Sequence, residues 1–216
     1  MNGYLFRINN SHDHIFHKNY LTFIRLYDNF YITMKKTKNK KNLLLYGGIG
    51  VLLLLLIAYV VSNSAKQQQE DTINALFDKE INLEVQEFSD QGTEHISESG
   101  QFTYNSNPPT SGPHYGQAPA WGFYPDPIDD ESAIHAIEHG GIWVSYKNLE
   151  PSEIDLLKEF VDTNPQSVIV TPREKNDSRI SAAAWTKLVN FENVDTDALQ
   201  KFLLLNKNKT HEPLAR

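Results

Sequence analysis

The chain has 216 residues, with 20 Lys+Arg against 27 Asp+Glu and no cysteine. Without cysteine there can be no disulfide, thiolate zinc site, iron–sulfur cluster or thiol nucleophile. Residues 1–65 hold 8 Lys/Arg against 2 Asp/Glu (+6) and residues 66–216 hold 12 against 25 (−13), so the C-terminal part repels phosphate backbones, which excludes a nucleic-acid partner, and draws small cations.

Residues 1–33 show no helical or strand period, only a scatter of Asn, His, Tyr and Phe. They are expected to be unstructured, and Met34-Lys35-Lys36 reads as the natural start of the protein. His12, His14 and His17 are close together but have no folded surroundings to make a site. Residues 34–42 are a basic segment carrying Lys35, Lys36, Lys38, Lys40 and Lys41. Next comes Leu43–Val61, 19 residues without a charge. At ~1.5 Å rise per residue, such a helix crosses the ~30 Å hydrocarbon core of a bilayer. Tyr46 and Tyr59 suit its two interfaces, and the lysines ahead of it place the N-terminus in the cytoplasm and the rest outside, in the cell envelope. A cleaved signal peptide would have a shorter apolar region and an A-x-A-like site, which Ser62-Asn63-Ser64 matches poorly.

Residues 62–86 form a stalk, helical where Ile73, Leu76 and Phe77 recur at helical spacing. The domain proper is expected over 87–206. From Asn82 to Tyr104 the pattern is short and β-like, with turns at Asp90-Gln91-Gly92 and Ser99-Gly100. Asn105–Pro127 is rich in proline and glycine and is expected to be irregular. Ser132–His139 reads as a short helix stopped by Gly140-Gly141, and Ile142–Tyr146 as a buried strand. Pro151 opens a helix whose apolar face is Ile154, Leu157, Phe160 and Val161, and Ser167–Thr171 is a strand, so the three elements imply a parallel crossover. Ala182–Phe191 is an apolar stretch around Trp185, and Asp195 caps a last helix carrying Leu199, Phe202 and Leu203. The fold class is α+β (mixed α/β), one domain with a small sheet, and residues 207–216 are expected to be a loose tail.

Chemistry centres on histidine. His135 and His139 are four apart, on one helix face, and the prolines of Pro108-Pro109-Thr110-Ser111-Gly112-Pro113-His114-Tyr115 restrict the backbone that aims His114. The runs PPTSGPHY, GFY and HAIEHGGIWVSY, with Gly92–Ile96 and Ala184-Trp185, resemble the bacterial domain-of-unknown-function family 3105 over roughly Glu87 to Pro213. The resemblance implies a membrane-anchored or secreted domain and brings no established activity.

The leading reading is a transition-metal site made of His114, His135 and His139, with His95 as a further ligand and Glu138 as ligand or supporting partner. Imidazole without sulfur suits Zn(II), Cu(II) or Ni(II). The runner-up is a non-catalytic envelope module that binds an envelope protein or itself through Tyr115, Trp121, Phe123 and Tyr124, its histidines being structural. A zinc hydrolase using the H-x-x-E-H of His135–His139 is remote, because that motif needs a substantial helix and here glycines follow at once. A Ser111–His114 hydrolase pair lacks a G-x-S-x-G elbow.

Overall fold

The computed structural model describes residue 32 and residues 40–97 and 102–216. The expectations for residues 1–39, apart from Ile32, and for the Ser99-Gly100 turn lie outside the described residues. The chain divides into two compact units, residues 1–71 and 72–216.

Helix α1 (Lys40–Asp78) contains the whole of the expected Leu43–Val61 span. Leucine, isoleucine and alanine favour helix here, and no proline interrupts it. From Val51 to Leu56 every side chain is at least 48% exposed, so this apolar surface is unpacked. By length and composition the helix can cross a membrane.

The second unit is built on a sheet of order β1-β8-β7-β5-β6-β4. Its strands are β1 (Gln86–Glu87), β4 (Gly122–Phe123), β5 (Ile142–Tyr146), β6 (Val168–Pro172), β7 (Ile180–Ala184) and β8 (Lys187–Phe191). β2 (His95–Ile96) and β3 (His114–Tyr115) form a separate parallel pair. The helices are α2 (Asp130–Glu138), α3 (Pro151–Thr163) and α4 (Thr196–Asn206). The expected crossover is present: β5 and β6 are parallel and α3 joins them. α3 begins with Pro151 and a reciprocal Glu150/Glu153 capping box, and buries Leu157, Phe160 and Val161. Asp195 caps α4 by accepting from the Ala198 amide at 2.9 Å.

Alternation along the strands gives the sheet two apolar faces. Val144, Val168, Val170 and Ala182 face the cluster containing Leu157, Phe160, Leu199 and Phe202 of α3 and α4. Trp143, Ile169 and Ala183 face Ile134 and Ile137 of α2. The histidine-bearing helix packs on this second face, opposite α3 and α4, and that packing fixes its position.

Three segments take a form that the sequence left open. Among the described residues of 82–104, the β-like pattern forms the two-residue strands β1 and β2, and β2 pairs outside the main sheet. The apolar stretch 182–191 belongs to a hairpin, β7 against β8, turning at Trp185-Thr186. No Gly or Asn marks this turn, and Thr186 takes a positive φ of 61°. Tertiary contacts hold it there: the Thr186 amide donates to Thr110 O and its carbonyl accepts from the Phe88 amide. Finally, the tail is pinned. The Leu214 and Ala215 amides both donate to His139 O, because the end of α2 offers a carbonyl that no helical partner reaches, and the Arg216 amide donates to Gln166 O in the loop before β6.

Gly141 joins α2 to β5. A Cβ there would overlap the Ser167 carbonyl oxygen and the Trp121 indole, and neither backbone nor a packed indole can give way cheaply. Gly141→Ala is expected to cost about 1–3 kcal/mol, as overpacking does, read as a lower thermal midpoint by circular dichroism. An unchanged midpoint would contradict this packing.

Candidate metal centre

Two loops and one helix build the site. Asp90 starts a turn, accepting from the Gly92 amide at 2.8 Å. The segments are then zipped by Gly112 N to Gly92 O at 3.0 Å and His114 N to Glu94 O at 2.9 Å. This pairing sets His95 opposite His114 in the β2/β3 register. Gly112 has φ 111°, with the Tyr104 ring beside it, a conformation that favours glycine. On α2, His135 and Glu138 are three apart and share a face, and His139 caps the helix before Gly140 at φ 89°.

These elements bring four of the five expected residues together. The ring centroids of His95, His114 and His135 lie 5.0 Å apart pairwise. One ligand atom from each of His95, His114, His135 and Glu138 lies within 4.8 Å of the other three. Glu138 Oε2 is 3.0 Å from His114 Nε2 and 3.8 Å from His95 Nε2. Bonds of about 2.0–2.2 Å in a tetrahedral site put ligand atoms roughly 3.3–3.6 Å apart. The closer pairs already bracket that spacing, and the widest needs to close by about 1 Å.

Burial and hydrogen bonding orient the rings. His114 is fully buried, and His135 and Glu138 are 5% and 2% exposed. His114 Nδ1 lies 2.8 Å from Gly112 O and His135 Nδ1 lies 2.5 Å from Tyr115 O. A carbonyl oxygen can only accept, so each Nδ1 carries the hydrogen and donates it. The Nε2 atoms then face the cluster, the arrangement that second partners impose on metal-bound imidazole. For His114 this has a further consequence. Its Nε2 faces a buried carboxylate, and two electron-pair donors at 3.0 Å repel unless a positive centre, a metal ion or a proton, lies between them.

His139 stands at the rim. Its Nε2 is 3.1 Å from His135 Nε2 and 3.3 Å from Glu212 Oε2. Burial, and next the neighbouring His135, hold its imidazole below the usual value despite the nearby carboxylates of Glu212 and Glu138. His211 lies apart and pairs with Asp90 at 3.0 Å. Ser111 Oγ accepts from the Gln91 amide, the role of a turn serine. Trp121 and Tyr124 pack on the α2 side of the sheet and Phe123 on the other, so these loop aromatics cover their own domain. The sequence had no signal for the Gly112 and Tyr115 carbonyls that aim the rings, nor for Glu212 beside His139, since main-chain acceptors and distant pairings leave no pattern.

The described residues thus define an α+β domain with a three-histidine, one-glutamate cluster on one face of its sheet. The chain belongs to the family described as protein of unknown function (DUF3105), whose model matches residues 95–216, from the first histidine of the cluster to the last residue. No curated protein and no solved structure matches the chain.

Asp90 anchors the first loop. Burial raises its carboxyl, but hydrogen bonds from His211, Trp185 and the Gly92 amide outweigh that and hold it below the usual carboxylate range. The stabilisation is therefore present above the unfolded value of about 3.9 and is lost as pH falls through the lower folded value. Asp90→Asn is expected to lower the thermal midpoint at pH 7, with the two proteins converging as the pH falls below about 4. A gap of constant size across that range would exclude the charged form as its source.

Proposed function

We propose that this protein is a single-pass membrane protein whose extracytoplasmic domain binds one divalent transition-metal ion, Zn(II) or Cu(II). His95, His114, His135 and Glu138 hold the ion, and His139 lies at the rim of the site. The observation that carries the reading is the buried His114 Nε2 against Glu138 Oε2 at 3.0 Å, with His114 Nδ1 already committed to a carbonyl. Bringing three imidazoles and a carboxylate together by loops and a helix far apart in the chain is expensive unless a cation repays it. The net −13 of residues 66–216 raises the local concentration of such ions.

The test uses the full chain in detergent, equilibrated with Zn(II), dialysed, and analysed for metal by mass spectrometry. One ion per chain is expected. His114→Ala should weaken binding by more than ~100-fold, and His139→Ala by roughly 10-fold, the difference between a ligand and an outer partner. Affinity should fall as the pH drops below about 6, since imidazole ligates only when neutral. Constant affinity from about pH 8 to 5 excludes histidine ligation.

The placement of the domain outside the cytoplasm rests on the five lysines at 35–41 and the acidic sequence beyond α1. The absence of native cysteine makes this simple to check. In spheroplasts, an impermeant maleimide is expected to label Glu174→Cys and leave Lys36→Cys unlabelled; the reverse pattern inverts the topology.

The 3.0 Å contact also favours a second reading, in which a proton bridges His114 and Glu138 as a buried ion pair. The histidines are then structural and the domain is an envelope interaction module. In that case, neither Zn(II) nor Cu(II) shifts the thermal midpoint.

A further inference from the structure

The four cluster residues are not equivalent. Resting on the metal-site reading above, we infer that His114, His135 and Glu138 are permanent ligands, and that His95 is an exchangeable one that gives way to a small donor molecule entering from the adjoining cleft. The site is then an open metal centre and not a closed structural one.

Three observations separate His95 from the others. Its side chain is 51% exposed, against 0% for His114 and 3% for Glu138. His114 and His135 are each locked by an Nδ1 hydrogen bond to a backbone carbonyl, whereas no carbonyl among the described residues holds His95 Nδ1. Its distance to Glu138 is 3.8 Å where that of His114 is 3.0 Å. A ring without an orienting partner binds metal more weakly and leaves more readily.

Beside it lies an open cleft of about 520 Å³ bordered by Ile96, Tyr115, Gly116, Gln117 and Ser132. The same elements build both features. Ile96 and Tyr115 follow His95 and His114 in the paired strands β2 and β3, and Ser132 precedes His135 by about one turn of α2. Gly116 is the shared wall: it lines the cleft, and a Cβ on it would lie 3.5 Å from His95 Nδ1. With no side chain there, the imidazole of His95 has room to swing off the metal. Three buried protein ligands and one open position are the pattern of zinc sites that accept a water or substrate molecule. The incoming group must carry a lone pair for the metal and be small enough for a cleft lined by uncharged polar and apolar residues. An anionic donor or an imidazole meets that description.

The experiment uses the full chain in detergent loaded with Co(II), whose visible absorption reports coordination, with azide and free imidazole as probes. His135→Ala should lose Co(II) affinity by at least ~100-fold, and His95→Ala by no more than about 10-fold. Free imidazole should restore the wild-type spectrum of His95→Ala. Azide should change the spectrum of wild type and bind His95→Ala about 10-fold or more tighter, because its position is vacated. Gly116→Ala, whose methyl sits at ordinary contact distance from the His95 ring and props it in place, should retain Co(II) and bind azide more weakly than wild type. If His135→Ala does not fold, the isosteric Glu138→Gln takes its place. The inference is overturned if Co(II) binds wild type stoichiometrically while His95→Ala loses it as fully as His135→Ala, or while azide leaves every spectrum unchanged. Failure of wild type to bind Co(II), Zn(II) or Cu(II) overturns the metal site itself, and this inference with it.

Discussion

A buried carboxylate cannot rest against the lone pair of a neutral imidazole, and the interior of this domain places Glu138 and His114 in that relation. Their 3.0 Å contact sits where water cannot screen it, and His114 has already spent its Nδ1 hydrogen on Gly112 O. Some positive centre must therefore occupy the space between them. The other site features follow from satisfying that requirement. His135 is turned by Tyr115 O so that its Nε2 faces inward, and His95 is carried to the same point by strand pairing with His114. Glu138 gains its position because α2 is held from below by Ile134 and Ile137.

The architecture separates the task of folding from the task of binding. α3 and α4 cover one face of the sheet with a purely apolar cluster, whose burial drives folding at roughly 25 cal/mol per Å² of apolar area. The other face carries α2, whose inner side is apolar and whose last turn presents Glu138. The loops of the proline-rich region then lie over that turn, tied to the hairpin β7–β8 by Thr186 and Thr110. The C-terminal segment closes the end of α2 by two amides on one carbonyl, His139 O. Glu138 and His139 are thus fixed through the backbone, and the side chains remain available for chemistry.

Much of the fold was legible because its signals are local. Pro151, the face Ile154–Leu157–Phe160–Val161 and the cap at Asp195 each depend on spacing within one helix. The mainly apolar runs at 142–146 and 168–170 mark strands buried on both faces. The hairpin at Trp185-Thr186 was not legible, because its positive φ is enforced by hydrogen bonds to Phe88 and Thr110, about 100 and 76 positions away in the chain. The tail went unread for the same reason: Lys207–Arg216 has the composition of a frayed end, and it is ordered by hydrogen bonds to His139 O, Gly140 O and Gln166 O.

The amino-acid sequence by itself determined that there is an apolar helix able to span a bilayer, an acidic α+β domain without cysteine, and a pair of histidines on one turn of helix. These follow from composition and period, which act over a few residues. What the tertiary structure alone decided is which donors meet. His139, the closer partner in sequence, stands at the rim, while His95 and His114, 40 and 21 positions before His135, complete the cluster with Glu138. The reason is that imidazoles converge through strand register and backbone carbonyls, and both are fixed by long-range pairing and not by any pattern along the chain.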